Sequence, residues 1–591
     1  MEPGDVEAAL LRHPLVQAAA VIAEDTAATG RRLVAFLVPR DPSLLENKLV
    51  AGVRAALRRE LPAFMVPAIY RLLAQLPASA SGKTDHAALR ELLAAGQPPS
   101  ADQGGFGSDV ERGIAAVWRK VLGHGHFGAD DSFLEVGGHS MLAASTVQQI
   151  SARLGVKTYI RDVYEFPSLR TLAAELEQRS IQRPQLADNE PVRELQRDIL
   201  LPTGFAVTGG SDPGALTRPR HILLTGATGF VGIHLLSELL ATTDAHLHLP
   251  IRGAGTALSA DRLRQLAHRY RVELDFDRIS VYPADLAEPG LGIADEDYRW
   301  LTEQVDLVYH SASAVNFIQP YSFMKRDNVE GLRQVIAFAA DRRVKPLILL
   351  STISVFSWGH LFTGKTWMRE DDDIDQNLPA VSTDLGYVRS KWVMEKIADL
   401  AADRGLPLMT FRLGYAICHS RTGMCADYQW WGRLVQTSDA LRAIPDLQEL
   451  REGLTTVDYM AQAIAAVSRQ PQALGHRFNL VPSPERALTL REFFDLLTRH
   501  CSRDFTRLPY RQWVSLWEQD LKAPLYPLRS MFTDDINNGY STVELYQNTY
   551  RWDTSDLQRH LGPTGIREPE FTPDLLERYL DHLHITPSRS K

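Results

Sequence analysis

Three groups of residues in this chain have types and spacings that could do chemistry. The first is Tyr387 and Lys391 in the run DLGYVRSKW, residues 384–392. Placed four apart on a helix, both side chains lie on one face. A free tyrosine, with a pKa near ~10, is a poor acid–base group at neutral pH. A neighbouring ammonium stabilises the phenolate and lowers that pKa. Thr352, in STISVF (351–356), is placed to share a substrate oxygen with the phenol, and Ser351 and Ser354 compete for the role by proximity. An exposed helix can carry the same Tyr-x-x-x-Lys pair, so its meaning depends on the elements around it.

The second group is Gly226, Gly229 and Gly232, a G-x-x-G-x-x-G run between a buried apolar stretch (221–224) and an apolar-periodic one (231–240). A strand turning directly into a helix aims unpaired N–H groups and the positive helix end at one spot. Glycines there let a pyrophosphate approach the backbone closely. A second strand, 245–251, ends at Arg252, where many NAD-binding folds keep a carboxylate for the ribose 2′-hydroxyl. An arginine suits a 2′-phosphate, so NADPH is expected rather than NADH. The plain alternative is an ordinary turn with a surface arginine. The third group is Ser140, after Gly137-Gly138-His139, which in isolation reads as a helix N-cap. Lys83, on the glycine-hinged turn SGKTD, reads by itself as a solvated lysine.

The elements that must position these residues follow from periodicity. Strand-like runs at 279–283, 307–310, 347–350 and 408–411 alternate with helical stretches, which predicts a doubly wound parallel sheet. Ligands of such sheets bind beyond the carboxyl ends of the strands, where Asp285, Ser311 and Thr352 fall. Residues 1–92 form a small unit with a helix at 5–11, strands at 17–22, 32–38 and 68–73, and an amphipathic helix at 49–60. Residues 108–179 read as a helical bundle, with helices at 109–121, 140–154 and 169–176 and a turn at 163–166. The polar, Gly/Pro-containing stretches 97–107 and 182–212 read as linkers, the second around an amphipathic piece at 192–201.

Composition agrees with several globular domains: 591 residues at roughly 150 each give about four. A net charge of −8 argues against a general nucleic-acid binder. No run approaches the ~18 apolar residues of a membrane helix, and MEPGDVEAAL shows no secretory signal. The three cysteines, Cys418, Cys425 and Cys501, are too scattered for a disulfide framework or a zinc site. A reducing, cytoplasmic setting is expected.

The motifs taken together resemble the end of a nonribosomal peptide synthetase. MEPGDVEAALLRHP, LPAFMVP and LPASASGKTDHAAL resemble the C-terminal subdomain of acyl- and amino-acid-adenylating enzymes, in which the lysine at Lys83 reaches the acyl-adenylate. The ATP-binding core of that family is not seen, so Lys83 is an orphan in this polypeptide; Met1 is either a natural start or a cut through a larger synthetase, and the missing core favours the cut. DDSFLEVGGHSMLA resembles a peptidyl carrier protein, which implies that Ser140 carries a 4′-phosphopantetheine arm attached by a phosphopantetheinyl transferase. TGATGFVG, VYHSASAVNF, STISVF, GYVRSKW and FRLGYAICHSRTG resemble terminal thioester reductase domains, which are extended short-chain dehydrogenases/reductases. Cys418 departs from the glycine found in many relatives and could alter the substrate pocket.

The resemblance implies a multidomain chain: a small α+β adenylation subdomain (1–96), a four-helix carrier bundle (108–180) and an α/β Rossmann-like, doubly wound reductase (188–591). In the reductase the nucleotide-binding part covers about 215–415, and a helical substrate-binding part with Trp430, Trp431, Tyr526 and Tyr546 covers mostly 416–591. By resemblance the catalytic residues are Thr352, Tyr387 and Lys391. Gly226, Thr228, Gly229, Phe230 and Gly232 cradle the pyrophosphate, Arg252 and Arg262 hold the 2′-phosphate, Asp285 and Leu286 lie by the adenine, Ser311 lines the site, and Lys391 binds the nicotinamide ribose. The implied reaction is NADPH-dependent release of an acyl or peptidyl thioester as an aldehyde, or further as an alcohol. Implied partners are upstream synthetase modules with an adenylation core, and neither nucleic acid nor membrane. The alternatives are a redox-neutral cyclising release domain, a carrier and docking scaffold with an inert reductase, and a reductase of free acyl-coenzyme A esters.

Overall fold

The computed structural model describes residues 3–26, 30–41, 49–50, 52–53, 56–57, 67, 69–77, 84–94, 106–123, 125, 127–134, 136–138, 140–156, 158–181, 190–209, 214–253, 255–447, 449–501, 503–547 and 550–585. Lys83, His139, most of LPAFMVP and the linker stretches 95–105, 182–189 and 210–213 lie outside them. The chain divides into two units, Met1–Leu186 and Ala187–Lys591. No helix among the described residues is long and apolar enough to cross a membrane.

In the first unit, β1 (Val16–Thr26) pairs antiparallel with β2 (Gly30–Pro39), and β2 pairs parallel with β3 (Ile69–Leu72). Leu33, Ala35 and Leu37 of β2 point into one apolar cluster, and Val34 and Phe36 into another, as the two-residue strand period requires. The helical bundle follows. Helix Asp109–Leu122 starts on Ser108, whose hydroxyl accepts the Glu111 N–H at 3.1 Å, and stops at Gly123, which has φ of 73°. Its fully buried Trp118 packs against Phe127 and Phe133 at ring distances of 5.5 and 5.2 Å. Truncating such a tryptophan costs about 3–5 kcal/mol.

One sequence expectation needs correction here. The sequence predicts only a turn at 163–166, whereas Ile160–Glu165 forms a helix. The buried Asp162 carboxylate accepts the Tyr159 N–H at 2.7 Å and pairs with Arg179 of helix Leu169–Ile181 at 2.6 Å. Six residues are too few for helical periodicity to register in the sequence.

The second unit is built on a seven-stranded parallel sheet. Its strands are β4 (His221–Thr225), β5 (His246–Ile251), β6 (Ile279–Pro283), β7 (Leu307–His310), β8 (Leu347–Thr352), β9 (Leu408–Leu413) and β10 (Arg477–Leu480). Their spatial order is β10-β9-β8-β7-β4-β5-β6, so the order reverses between β4 and β7. Such a reversal opens a ligand crevice beyond the strand ends. Both sheet faces are covered. Ile222 and Leu224 face a cluster with helices Phe230–Thr242 and Val457–Val467, while Leu223 faces one with helices Gly331–Ala340 and Gly386–Asp403. Burial on both faces explains why the strands read as continuous apolar runs.

The sheet of the second unit differs from expectation at two places that bear on the site. β8 runs on through Ser351 and Thr352, which ladder with Arg412 and Leu413 of β9. The seventh strand, β10, comes from within residues 416–591, so the segment assigned mostly to substrate binding also completes the nucleotide-binding sheet.

Candidate active site

The glycine turn joins β4 to the helix Phe230–Thr242 at the sheet reversal. Gly226 has φ of 76°, and a Cβ there would sit 2.4 Å from the Ala312 nitrogen. A Cβ on Gly232 would lie 2.0 Å from the Gly226 carbonyl oxygen. These two positions require glycine, the first for the turn and the second for seating the helix on it. Gly229, the N-cap, offers no side chain to the helix end. The Phe230 ring is buried beside His234 and Tyr270, so only its backbone faces the crevice, where its N–H donates to the Tyr428 phenol. Across the reversal, Thr225 and His310 Nδ1 lie within hydrogen-bond distance at 2.8 Å, and the Thr225 oxygen accepts the Ala312 N–H at 3.3 Å. Ser311 follows directly at the end of β7. A helix end at the sheet reversal, left uncapped by any side chain at Gly229, fits a dinucleotide pyrophosphate.

At the end of β5, Arg252 forms a two-point ion pair with Asp327, at 2.8 and 3.2 Å, and lies 3.8 Å from Asp285. Arg262 donates to the Arg252 carbonyl at 3.4 Å, and burial, together with the neighbouring Arg252 charge, pushes its guanidinium pKa down. Two neighbouring guanidiniums, one of them now held by Asp327, suit a dianionic phosphate. Asp285 is tied to Arg326 at 2.8 Å, and Leu286 packs beneath Gly331.

Tyr387 and Lys391 lie on helix Gly386–Asp403. That helix begins where it does because Gly386 has no side chain: a Cβ there would stand 2.4 Å from the Gln319 carbonyl oxygen. The Thr352 hydroxyl hydrogen-bonds the Tyr387 phenol, and Thr352 also lies 3.2 Å from the Ser354 hydroxyl. Ser351 faces away, donating to the buried Glu395 at 2.8 Å. Lys391 is buried and donates to the Leu350 carbonyl at 3.0 Å.

The electrostatics differ from the sequence expectation. Burial pushes the Tyr387 phenol up to about 12 rather than down, and brings the Lys391 ammonium down to about 8 against the pull of Glu395. Desolvation outweighs the ammonium, which is turned to a backbone carbonyl. The phenol therefore rests protonated, as a donor.

Around Tyr387 lie Phe317, in edge contact at 6.2 Å, and Tyr428. One turn earlier, Asp384 accepts from Tyr546 at 2.7 Å and from Ser357. Of the aromatics in the substrate-binding part, whose default is burial, Trp430, Trp431 and Tyr526 are core, and Tyr546 reaches Asp384. Cys418 is buried in the pairing of Tyr415–Cys418 with Leu454–Thr456. Sequence reasoning missed Asn328. Its side chain holds both backbone groups of Ala314, at 2.7 and 3.2 Å, and donates to the Ser390 hydroxyl at 2.9 Å from a π-helical turn, Lys325–Glu330. An asparagine inside an otherwise helical pattern was its only signal.

In the first unit, Gly137 has φ of 101°, and a Cβ on Gly138 would fall 2.3 Å from the Phe133 ring. The Gly-Gly pair thus turns the chain tightly into helix Ser140–Leu154, which Ser140 opens. The Ser140 side chain lies outside the described residues.

A nucleotide cradle at a parallel-sheet reversal, with a Tyr-x-x-x-Lys helix beyond a neighbouring strand, defines a dinucleotide-dependent oxidoreductase. Three families match the chain: the AMP-binding enzyme C-terminal domain over 5–83, the phosphopantetheine attachment site over 112–176, and the Male sterility protein NAD-binding family over 224–464. The isonitrile lipopeptide synthase of Streptomyces coeruleorubidus is 31% identical over 614 residues, covering 99% of this chain and 40% of that protein. The non-canonical nonribosomal peptide synthetase FrzA of Cladobotryum sp is 28% identical over 604 residues, 98% of this chain and 57% of its own. The crystal structure of the terminal R domain from the myxalamid PKS-NRPS pathway superposes with a TM-score of 0.58 and 30% identity, covering 66% of this chain and 97% of that one. The chain belongs to the nonribosomal peptide synthetases that carry a thioester reductase domain, and its cofactor classes are NAD(P)H and phosphopantetheine. It spans about half the length of the curated relatives it matches.

Proposed function

We propose that this chain releases an acyl or peptidyl group from a phosphopantetheine arm on Ser140 by NADPH-dependent reduction of its thioester to an aldehyde. The observation that carries the reading is the meeting of Tyr387 and Thr352 beside the glycine cradle, with Tyr428 close to Tyr387 and bonded to Phe230 of the cradle.

When bound, the reduced nicotinamide supplies the hydride and the pantetheine thiol is the leaving group. The backbone of Gly226, Thr228, Gly229, Phe230 and Gly232 holds the pyrophosphate, and Ser311 lines the crevice. Arg252 and Arg262 take the 2′-phosphate, with Arg252 giving up Asp327 to do so, and Asp285 and Leu286 flank the adenine. Tyr387 and Thr352 donate hydrogen bonds to the thioester oxygen, which gains negative charge as the carbonyl carbon is reduced. Tyr387 then passes its proton to that oxygen, giving a hemithioacetal, and Lys391 steadies the phenolate left behind while holding the nicotinamide ribose. The phenolate takes the hydroxyl proton back as the C–S bond breaks, and the departing sulfur is protonated, leaving the aldehyde and the free pantetheine thiol. Tethering the acyl group on the carrier raises its local concentration, so modest pocket recognition suffices.

The arm is installed by a phosphopantetheinyl transferase, and the acyl group comes from upstream synthetase domains that include an adenylation core, which Lys83 would serve. The free thiols of Cys418, Cys425 and Cys501 support a reducing, cytoplasmic setting. The test is product analysis. Acyl-phosphopantetheine is loaded on Ser140, NADPH or NADH is added, and released species are identified by mass. An aldehyde formed with NADPH supports the reading, an alcohol extends it by a second reduction, and an acid or cyclic product without nucleotide oxidation overturns it.

A further inference from the structure

Behind Tyr387 and Lys391 the same helix face continues to Glu395, four residues on. Its carboxylate is buried and held from two strands. One oxygen accepts from Arg412 of β9 through two guanidinium nitrogens, Nε at 2.7 Å, and the other accepts from Ser351 of β8 at 2.8 Å. Arg412 is equally buried, donates to the Glu370 carbonyl at 3.1 Å and lies 4.9 Å from the Phe356 ring centroid. A buried ion pair is poor evidence for stability, because desolvating both charges offsets their attraction. What distinguishes this pair is its neighbours: Lys391 precedes Glu395 by one turn, and Thr352 follows Ser351 in the strand.

We infer that Glu395, clamped by Arg412, is a positioning residue of the active site, balancing the Lys391 charge beneath Tyr387 and fixing the end of β8 that carries Thr352. The inference rests on the proposed roles of Tyr387 and Lys391. The charged and titratable groups facing Lys391 are Tyr387 and Glu395 on its own helix, His310 on β7, and Arg412 behind Glu395. Burial holds His310 neutral, down at about 3, and among the described residues Glu395 is the carboxylate that acts on Lys391.

The test is the pH–rate profile of NADPH oxidation by the full chain loaded with acyl-phosphopantetheine. Glu395→Gln should lower kcat at least about tenfold, leave KM for NADPH within about twofold, and move the alkaline limb down by about one pH unit. Glu395→Asp should return the limb toward its wild-type position. Ser351→Ala should lower kcat several-fold and leave the limb in place. Folded Glu395→Gln with wild-type kcat and limb overturns the inference. Should that variant not fold, Ser351→Ala with wild-type kcat overturns it instead. Tyr387→Phe separates the two levels. If that variant is inactive while Glu395→Gln is unchanged, only the positioning role fails; if it keeps full rate, the reading of the site fails and the inference with it.

Discussion

Ser351 and Thr352 are adjacent in β8, yet their hydroxyls serve opposite sides of the strand: Ser351 donates to Glu395 at 2.8 Å, and Thr352 bonds the Tyr387 phenol. Strand alternation imposes this division. It favours Thr352 over Ser351 for the proposed contact with the substrate oxygen, because Thr352 is the one on the Tyr387 side. Thr352→Val should therefore reduce kcat by about 10²-fold, the usual cost of an oxyanion donor. Ser354→Ala, which removes only a neighbour of Thr352, should stay within about fivefold. Steady-state rates of the two variants decide it, and equal losses would contradict the assignment.

Cofactor choice should reside in Arg252 and Arg262. In the proposed complex each would make a charge-assisted contact to the 2′-phosphate, worth about 1.5–3 kcal/mol. Arg252→Ala and Arg262→Ala should each raise KM for NADPH at least about tenfold, while KM for NADH moves by less than about twofold. A parallel rise for both nucleotides would instead indicate a general loss of the crevice.

The three glycines of the turn should not be equivalent. Gly226→Ala and Gly232→Ala drive a Cβ to 2.4 and 2.0 Å from backbone atoms, whereas Gly229→Ala meets its nearest atom at 3.3 Å. The first two should cost roughly 2–3 kcal/mol and abolish nucleotide binding. Gly229→Ala should fold normally. Thermal unfolding with and without NADPH reads both effects.

The alkaline limb should reflect Lys391. Its ammonium, brought down to about 8 by burial, loses its proton as pH rises through that value, so kcat should fall above pH 8. The sign for stability is opposite. The unfolded chain holds this proton up to the ordinary lysine value near ~10.4. Between about 8 and that value the unfolded state binds more protons, so this residue's contribution to stability rises with pH. A pH–rate profile flat to pH 10 would contradict the charge assigned to Lys391.

Much of this fold was legible in the sequence because its elements are strongly periodic. The apolar runs of β4 through β9 and the stripes of their helices stand out, and so do the glycine turn and the Tyr387–Lys391 spacing. What escaped was either too short or too distant in the chain. Helix Ile160–Glu165 spans under two turns, and the π-turn at Asn328 has no pattern of its own. β10 is four residues long and returns to the sheet after a long excursion. Glu395 lies on the Tyr387–Lys391 stripe, but its partners Arg412 and Ser351 are 17 and 44 residues away. The resting state of Tyr387 was misjudged because desolvation depends on packing, which spacing does not report.

The central claim is that the acyl group on Ser140 leaves by hydride transfer at the Tyr387 site. The most direct measurement loads Ser140 with an acyl-phosphopantetheine and supplies NADPH carrying deuterium in the transferable C4 position. Mass spectrometry then locates the label. The account predicts one deuterium on the former carbonyl carbon of a released aldehyde in the wild-type chain, and no release from Tyr387→Phe. Release of the acyl group without deuterium, as an acid or a cyclic product, would contradict it.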